Sequence, residues 1–225
     1  MALRAAAICG LLLIVVAGCG GGGGGGDKSS NGTQQESVCA GLGDVAAPRA
    51  TKAPWNAPEN PMALTCAAGL VPEKAEFLQY HVHSHLDVFV DGRPIFVPAG
   101  IGIDLDDPDT VADTSADGLV IGAGLRQECS KPCISPLHTH DLSGLLHTET
   151  KTPSPNKLGQ FFTQWAIKLT PDCVGAYCKP KTPIKILVDG KAETGDPREI
   201  ELSNLREIAI LIGKPPATIP MEFPR

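Results

Sequence analysis

The chain has 225 residues, of which 42% are hydrophobic, 4% aromatic and 20% charged, with a formal net charge of −6. This is a globular, mildly acidic composition with no basic stripe, which excludes a nucleic-acid footprint. Twenty prolines spread along the chain exclude long helices.

The first residues read as a targeting segment rather than as part of a fold. Arg4 supplies a short positive region, and Ala5 to Ala17 form an apolar stretch too short for a comfortable membrane span. Val16-Ala17-Gly18-Cys19 resembles a bacterial lipobox, which implies cleavage before Cys19 and a lipid on its thiol. The alternatives are an ordinary signal peptide or an uncleaved anchor. Gly20 to Gly26 is an unbroken glycine run, as a flexible tether would be. It is not a phosphate loop, because no strand precedes it and no Lys-Ser/Thr pair follows.

The organisation expected is a signal peptide over 1–18, a lipidated cysteine and glycine-rich tether over 19–36, a Pro/Ala-rich arm over 37–61, and a single β-rich domain over 62–225. The protein would then lie outside the cytoplasm, in the periplasm or on the cell surface, held to a membrane as a lipoprotein. Besides Cys19, six cysteines remain in the expected mature chain, an even number that suggests disulfides in such a compartment. Local spacing favours Cys129–Cys133 and Cys173–Cys178, which leaves Cys39–Cys66, although sequence does not fix connectivity.

Glu73 to Leu78 reads as a short turn of helix. His81-Val82-His83-Ser84-His85-Leu86-Asp87-Val88-Phe89-Val90 alternates as a strand. One face carries His81, His83, His85 and Asp87, and the other carries Val82, Ser84, Leu86, Val88 and Val90 as a core face. Asp91-Gly92 is a hairpin turn, with Arg93 to Pro98 as the return strand. Asp113, Ser115, Asp117 and Gly118 imitate the opening of a calcium loop. The loop fails at its twelfth position, where Gly124 stands in place of a bidentate Glu. The segment therefore reads as a solvated acidic loop, followed by a short strand at Leu119 to Ile121.

Leu137-His138-Thr139-His140-Asp141-Leu142-Ser143-Gly144-Leu145-Leu146-His147-Thr148-Glu149 reads as a hairpin turning at Ser143-Gly144. A two-residue turn pairs His140 with His147 and His138 with Glu149, which gathers three imidazoles and a carboxylate on one face. A three-residue turn would point His147 the other way. Asn156 is placed as the cap of a short helix over Lys157 to Ala166, with Leu158, Phe161, Phe162 and Trp165 on a core face. Ile184 to Lys191 repeats the strand-Asp-Gly pattern, and Arg206 to Ile212 is a last apolar strand. The fold class expected is mainly β: an antiparallel sandwich or open barrel of short strands, with one or two short helices.

All six histidines lie in these two patches. Imidazole nitrogen suits zinc, copper, iron and nickel, and a His-x-His strand offers two donors on one face without bending the backbone. The candidate ligands are His81, His83, His85, His138, His140 and His147, with Asp87 and Glu149 as lower-ranked ligands or orienting partners, and Asp141 less so. The expectation is one metal site, or two adjacent ones, where the patches meet, holding copper or zinc for storage, delivery or sensing. The alternatives are a metal-dependent hydrolase or oxidoreductase, and an interaction lipoprotein whose histidines line a groove or charge near pH ~6. No catalytic residue is assigned, and the partners expected are a metal ion and a membrane, with no nucleic acid.

Four segments together resemble an uncharacterised family of secreted or lipid-anchored prokaryotic proteins. They are Tyr80 to Gly92, Val97 to Ile103, Leu137 to Glu149, and Leu158 to Trp165. The resemblance covers Leu64 to Phe223, and its most specific part is the His-Thr-His-Asp hairpin. It implies a common fold and a shared site, not a reaction. Tyr80-His81-Val82-His83-Ser84 also looks like the opening of PHP-type metal phosphoesterases, but the chain is too short and too rich in proline for their barrel. The metallo-β-lactamase pattern fails because Asp141 follows His140 directly. Cys129-x-x-x-Cys133 resembles the copper pair of thioredoxin-like delivery proteins, without the strand–helix pattern around it, and a structural disulfide is favoured.

Overall fold

In the computed structural model, the residues described are 37–224. The expected signal peptide, lipidation site at Cys19 and glycine tether lie outside them. The molecule is mainly β. Its strands are β1 (Tyr80–Val90), β2 (Arg93–Ile95), β3 (Thr110–Thr114), β4 (Val120–Leu125), β5 (Leu137–His138), β6 (Leu145–Thr150), β7 (Cys173–Val174), β8 (Tyr177–Cys178), β9 (Ile184–Val188), β10 (Lys191–Glu193) and β11 (Arg206–Ile212). Helices α1 (Pro61–Ala67) and α2 (Leu158–Gln164) are short. Among the described residues no helix is long and apolar enough to cross a membrane.

A single large sheet carries the fold in the order β10-β9-β11-β1-β6-β5, with β2 also on β1. The sheet is mixed. The first half of β1 pairs antiparallel with β6, and its second half pairs parallel with β11. β3–β4 and β7–β8 form separate two-stranded sheets. The hairpins β1–β2 and β9–β10 turn on Asp91-Gly92 and Asp189-Gly190. All four turn residues have positive φ (49° and 79°, 49° and 72°), which is what a tight primed turn requires and what Asp-Gly tolerates. β2 stops at Ile95, short of the expected Pro98; its last pair is Val88 with Ile95, and from His85 back β1 pairs with β6.

Alternation along β1 works as the sequence predicts. Ser84, Leu86 and Val88 point into the main core, where they meet Leu146, Ile208, Ile210 and the α2 side chains Leu158, Phe161, Phe162 and Trp165. Each of those large apolar groups contributes roughly 1.5–3 kcal/mol by leaving water. The opposite face carries His81, His83 and His85. It turns apolar again at Phe89, which packs with Leu187, Ala209 and Leu211.

Three local expectations are corrected. Glu73 to Leu78 is not helical, because the Glu73 backbone is claimed by an extended bridge to Ile134. The cap of α2 is Lys157 rather than Asn156, and its backbone N–H donates to Gln160 Oε1 at 2.8 Å. Asn156 is buried and donates to Thr148 Oγ1 instead. The acidic segment is not all loop: Asp113 lies in β3, and the β3–β4 turn covers residues 115–119, in which Ser115 Oγ donates to Asp117.

All three disulfides form as spacing suggested: Cys39–Cys66, Cys129–Cys133 and Cys173–Cys178. They fit an oxidising compartment. The arm before α1 is packed onto the domain. Trp55 is buried edge-on against Trp165 at 5.6 Å, and Arg49 donates to the carbonyls of Trp165 and Ala166.

Candidate metal centre

Strand register builds the site. β6 lies against β1 so that His81 faces Glu149 and His83 faces His147. β5 lies on the other side of β6 and sets His138 opposite His147. The expected pairing of His140 with His147 and His138 with Glu149 is therefore displaced by two residues. The cause is a longer connection, Thr139 to Gly144. Thr139 leaves the ladder because its hydroxyl donates to Pro98 O at 2.7 Å and accepts from Ile101 N at 3.1 Å. Asp141 Oδ1 accepts from Ser143 N to shape the loop. A slip of two preserves the side-chain face, so the donors still converge.

Five imidazoles and Glu149 meet on this face. His81 Nε2 lies 2.9 Å from His83 Nε2, His83 Nε2 lies 3.1 Å from His147 Nδ1, and His138 Nε2 lies 3.1 Å from His140 Nε2. Glu149 Oε1 is 3.2 Å from His81 Nε2 and 3.3 Å from His147 Nδ1, while Oε2 is 3.9 Å from His138 Nε2. His138, His140, His147 and Glu149 form one set of donors within 4.8 Å of one another, and His81, His83 and His147 form another.

The tautomers of His138 and His140 follow from their backbone partners. A carbonyl only accepts, so His138 Nδ1 donates to Ser135 O at 2.8 Å and His140 Nδ1 donates to Ala123 O at 2.8 Å. Both Nε2 atoms then present lone pairs to each other. Ser135 is itself fixed: it follows the Cys129–Cys133 loop, and its N–H donates to Gly102 O. Such outer hydrogen bonds orient metal-binding imidazoles.

Exposure varies steeply across the cluster. The side chain of His81 is 34% exposed, those of His147 and Glu149 are 14% and 4%, and that of His138 is 1%, while His140, on the other side of His138, is again 29% exposed. Burial, reinforced by His140, lowers the His138 pKa to about 3, so the ring is neutral at ordinary pH. Burial and the neighbouring His147 and His81 also lower that of His83. Burial alone would raise the Glu149 pKa, but the hydrogen bond to His147 and the surrounding imidazoles outweigh it and hold the carboxyl ionised.

Two predicted residues lie apart. His85 and Asp87 share the face but join Glu207, brought alongside by the parallel β11. His85 Nε2 donates to Ser143 O at 2.8 Å, and Nδ1 lies 2.8 Å from Glu207 Oε2. Both ring nitrogens are therefore engaged, and a proton is shared between Nδ1 and the carboxyl. The glutamate counteracts burial and raises the His85 pKa, and burial raises that of Glu207. Asp141 serves the loop rather than a ring. Asp107, Asp109 and Cys129 also gather, but the Cys129 sulfur is committed to its disulfide.

Sequence reasoning missed two carboxylates. Glu207 is a lone acid in an apolar strand, a signal that was available. Glu76 comes from a loop with no pattern, and its Oε1 stands 3.7 Å from His140 Nε2. Burial and the nearby Glu149 raise its pKa, opposed by the histidines.

The residues present suit a transition ion. Donors about 2.0–2.1 Å from a tetrahedral ion sit about 3.3–3.4 Å apart, close to the spacings here. Glu149 Oε2 is buried without a hydrogen-bond partner, an acceptor that a cation would satisfy. No family profile, curated protein or solved structure matches this chain.

Proposed function

We propose that this is an extracytoplasmic metal-binding protein, held to a membrane through Cys19, whose His–Glu cluster takes copper or zinc. The observation that carries the reading is the facing pair of His138 and His140. Each has its Nδ1 proton tied to a backbone carbonyl, and the two Nε2 lone pairs meet at 3.1 Å. Two lone pairs at that distance repel unless a cation lies between them. Imidazole and carboxylate donors favour zinc or copper over magnesium or calcium. When bound, zinc supplies a Lewis acid and copper a one-electron couple. The resemblance to secreted and lipid-anchored proteins agrees with this placement.

Elemental analysis of the purified mature chain tests the reading. Wild type is expected to carry copper or zinc in stoichiometric amount, with His138→Ala and His83→Ala each losing metal while keeping the wild-type far-ultraviolet spectrum. Metal content unchanged in both variants would overturn it.

A second reading is a metal-dependent hydrolase, favoured by Glu76. Its raised carboxyl stands beside His140, where a general acid or base would be needed. Turnover of phosphate or carboxylate esters by the metal-loaded wild type, lost in Glu76→Gln with metal retained, distinguishes it from storage or delivery.

A further inference from the structure

We propose that the cluster binds two ions and that the Glu149 carboxylate bridges them. The inference rests on the metal-binding reading above and adds to it the number of ions and the group that couples them.

The donor count is the first reason. Five imidazoles and Glu149 exceed what one four-coordinate ion accepts. They also gather as two sets rather than one, with His147 common to both. Donors opposite each other on one ion are separated by no more than about 4.2 Å, twice the bond length. A single ion therefore does not reach every member.

The second reason is the order of the donors. His81 Nε2, His83 Nε2, His147 Nδ1 and Glu149 Oε1 form a closed ring. Its successive edges are 2.9, 3.1, 3.3 and 3.2 Å, the last returning to His81. That ring presents three nitrogens and one oxygen, and it uses only one oxygen of Glu149. The other oxygen, buried and without a partner, faces the second pair, His138 and His140, at 3.9 Å from His138 Nε2. Glu76 Oε1 stands on the far side of that pair, 3.7 Å from His140 Nε2. The second set is looser than the first by about half an ångström per contact, as expected of a site that tightens on its ion.

A carboxylate whose two oxygens face separate donor sets is placed to hold two ions about 3.5–4 Å apart, the spacing of paired metal sites. His85 does not extend the cluster to a third ion, because both its nitrogens are engaged by Ser143 and Glu207.

The test uses the untagged mature chain, stripped of metal and titrated with Cu(II). Two equivalents are expected to bind. The first gives an ordinary mononuclear paramagnetic resonance signal. The second makes the integrated signal fall well below the sum of two, because bridged copper ions couple. His140→Ala, at the partly exposed end of the second set, is expected to bind one equivalent with a full mononuclear signal. His81→Ala should also drop to one. Glu149→Gln is expected to lose the coupling, and the two histidine variants keep the test decisive where that buried substitution does not fold. One equivalent in wild type, abolished alike by His81→Ala and His140→Ala, would overturn the pairing of ions while leaving metal binding intact. Two equivalents with a full uncoupled signal would overturn the bridge. No bound copper or zinc in wild type would overturn both this inference and the reading beneath it.

Discussion

His138 has one nitrogen committed to a backbone carbonyl and the other enclosed among neighbouring rings, so charging it in the folded state is costly. Its pKa falls from 6.5 to about 3 on folding of the metal-free chain. The sign follows from proton uptake. Below pH 6.5 the unfolded chain binds a proton that the folded chain refuses until about pH 3, so stability is full above 6.5 and drains away as pH falls through that window. The slope from one such group is at most about 1.4 kcal/mol per pH unit. We expect the urea midpoint of the metal-free wild type to fall more steeply with acid over this window than that of His138→Leu. Parallel curves would show that burial does not govern this ring.

Among the elements, the β5–β6 connection sets the positions of three imidazoles. Gly144 has φ 89°, and a Cβ there would stand 2.6 Å from Leu86 O, a backbone atom that cannot retreat cheaply. Its own carbonyl accepts from Leu86 N at 2.9 Å. Gly144→Ala is expected to cost roughly 1–3 kcal/mol through backbone strain and to weaken metal retention, because His147 follows within three residues. Thermal melting with and without metal measures both effects, and an unchanged melting temperature would contradict the strain. The same connection shows what the sequence discloses. Period-two alternation placed His81, His83, His85 and Asp87 on one face of their strand and His138, His140, His147 and Glu149 on one face of the hairpin. The hairpin grouping survived a register two residues from the expected one, while His85 and Asp87 went to Glu207. Loop length, set by Thr139 reaching across to Pro98 and Ile101, depends on contacts forty residues away and leaves no local trace. The extent of β11 was legible as an apolar run, but its parallel seat beside β1 was not, and so Glu207 stayed hidden. Glu76 arrives from an irregular segment that only the finished fold positions.

Across the whole molecule, one sheet separates two tasks. Its inner face and α2 bury Trp165, Phe161 and Phe162, and the arm closes over them with Trp55. Its outer face holds the donors. Removing Trp55 therefore attacks stability without touching the cluster. Trp55→Ala is expected to cost about 3–5 kcal/mol in urea denaturation and to leave the metal content per folded chain unchanged. Loss of metal from the folded variant would show that the two faces are coupled through the sheet.

The uneven exposure of the donors orders the way a solute meets them. Water reaches the cluster at His81 and again at His140, whose side chains are 34% and 29% exposed, and is shut out between them at His138. A chelator in solution therefore meets His81 or His140 before any other imidazole of the cluster. His138, enclosed between them, is the last ring it reaches and the last to give up an ion.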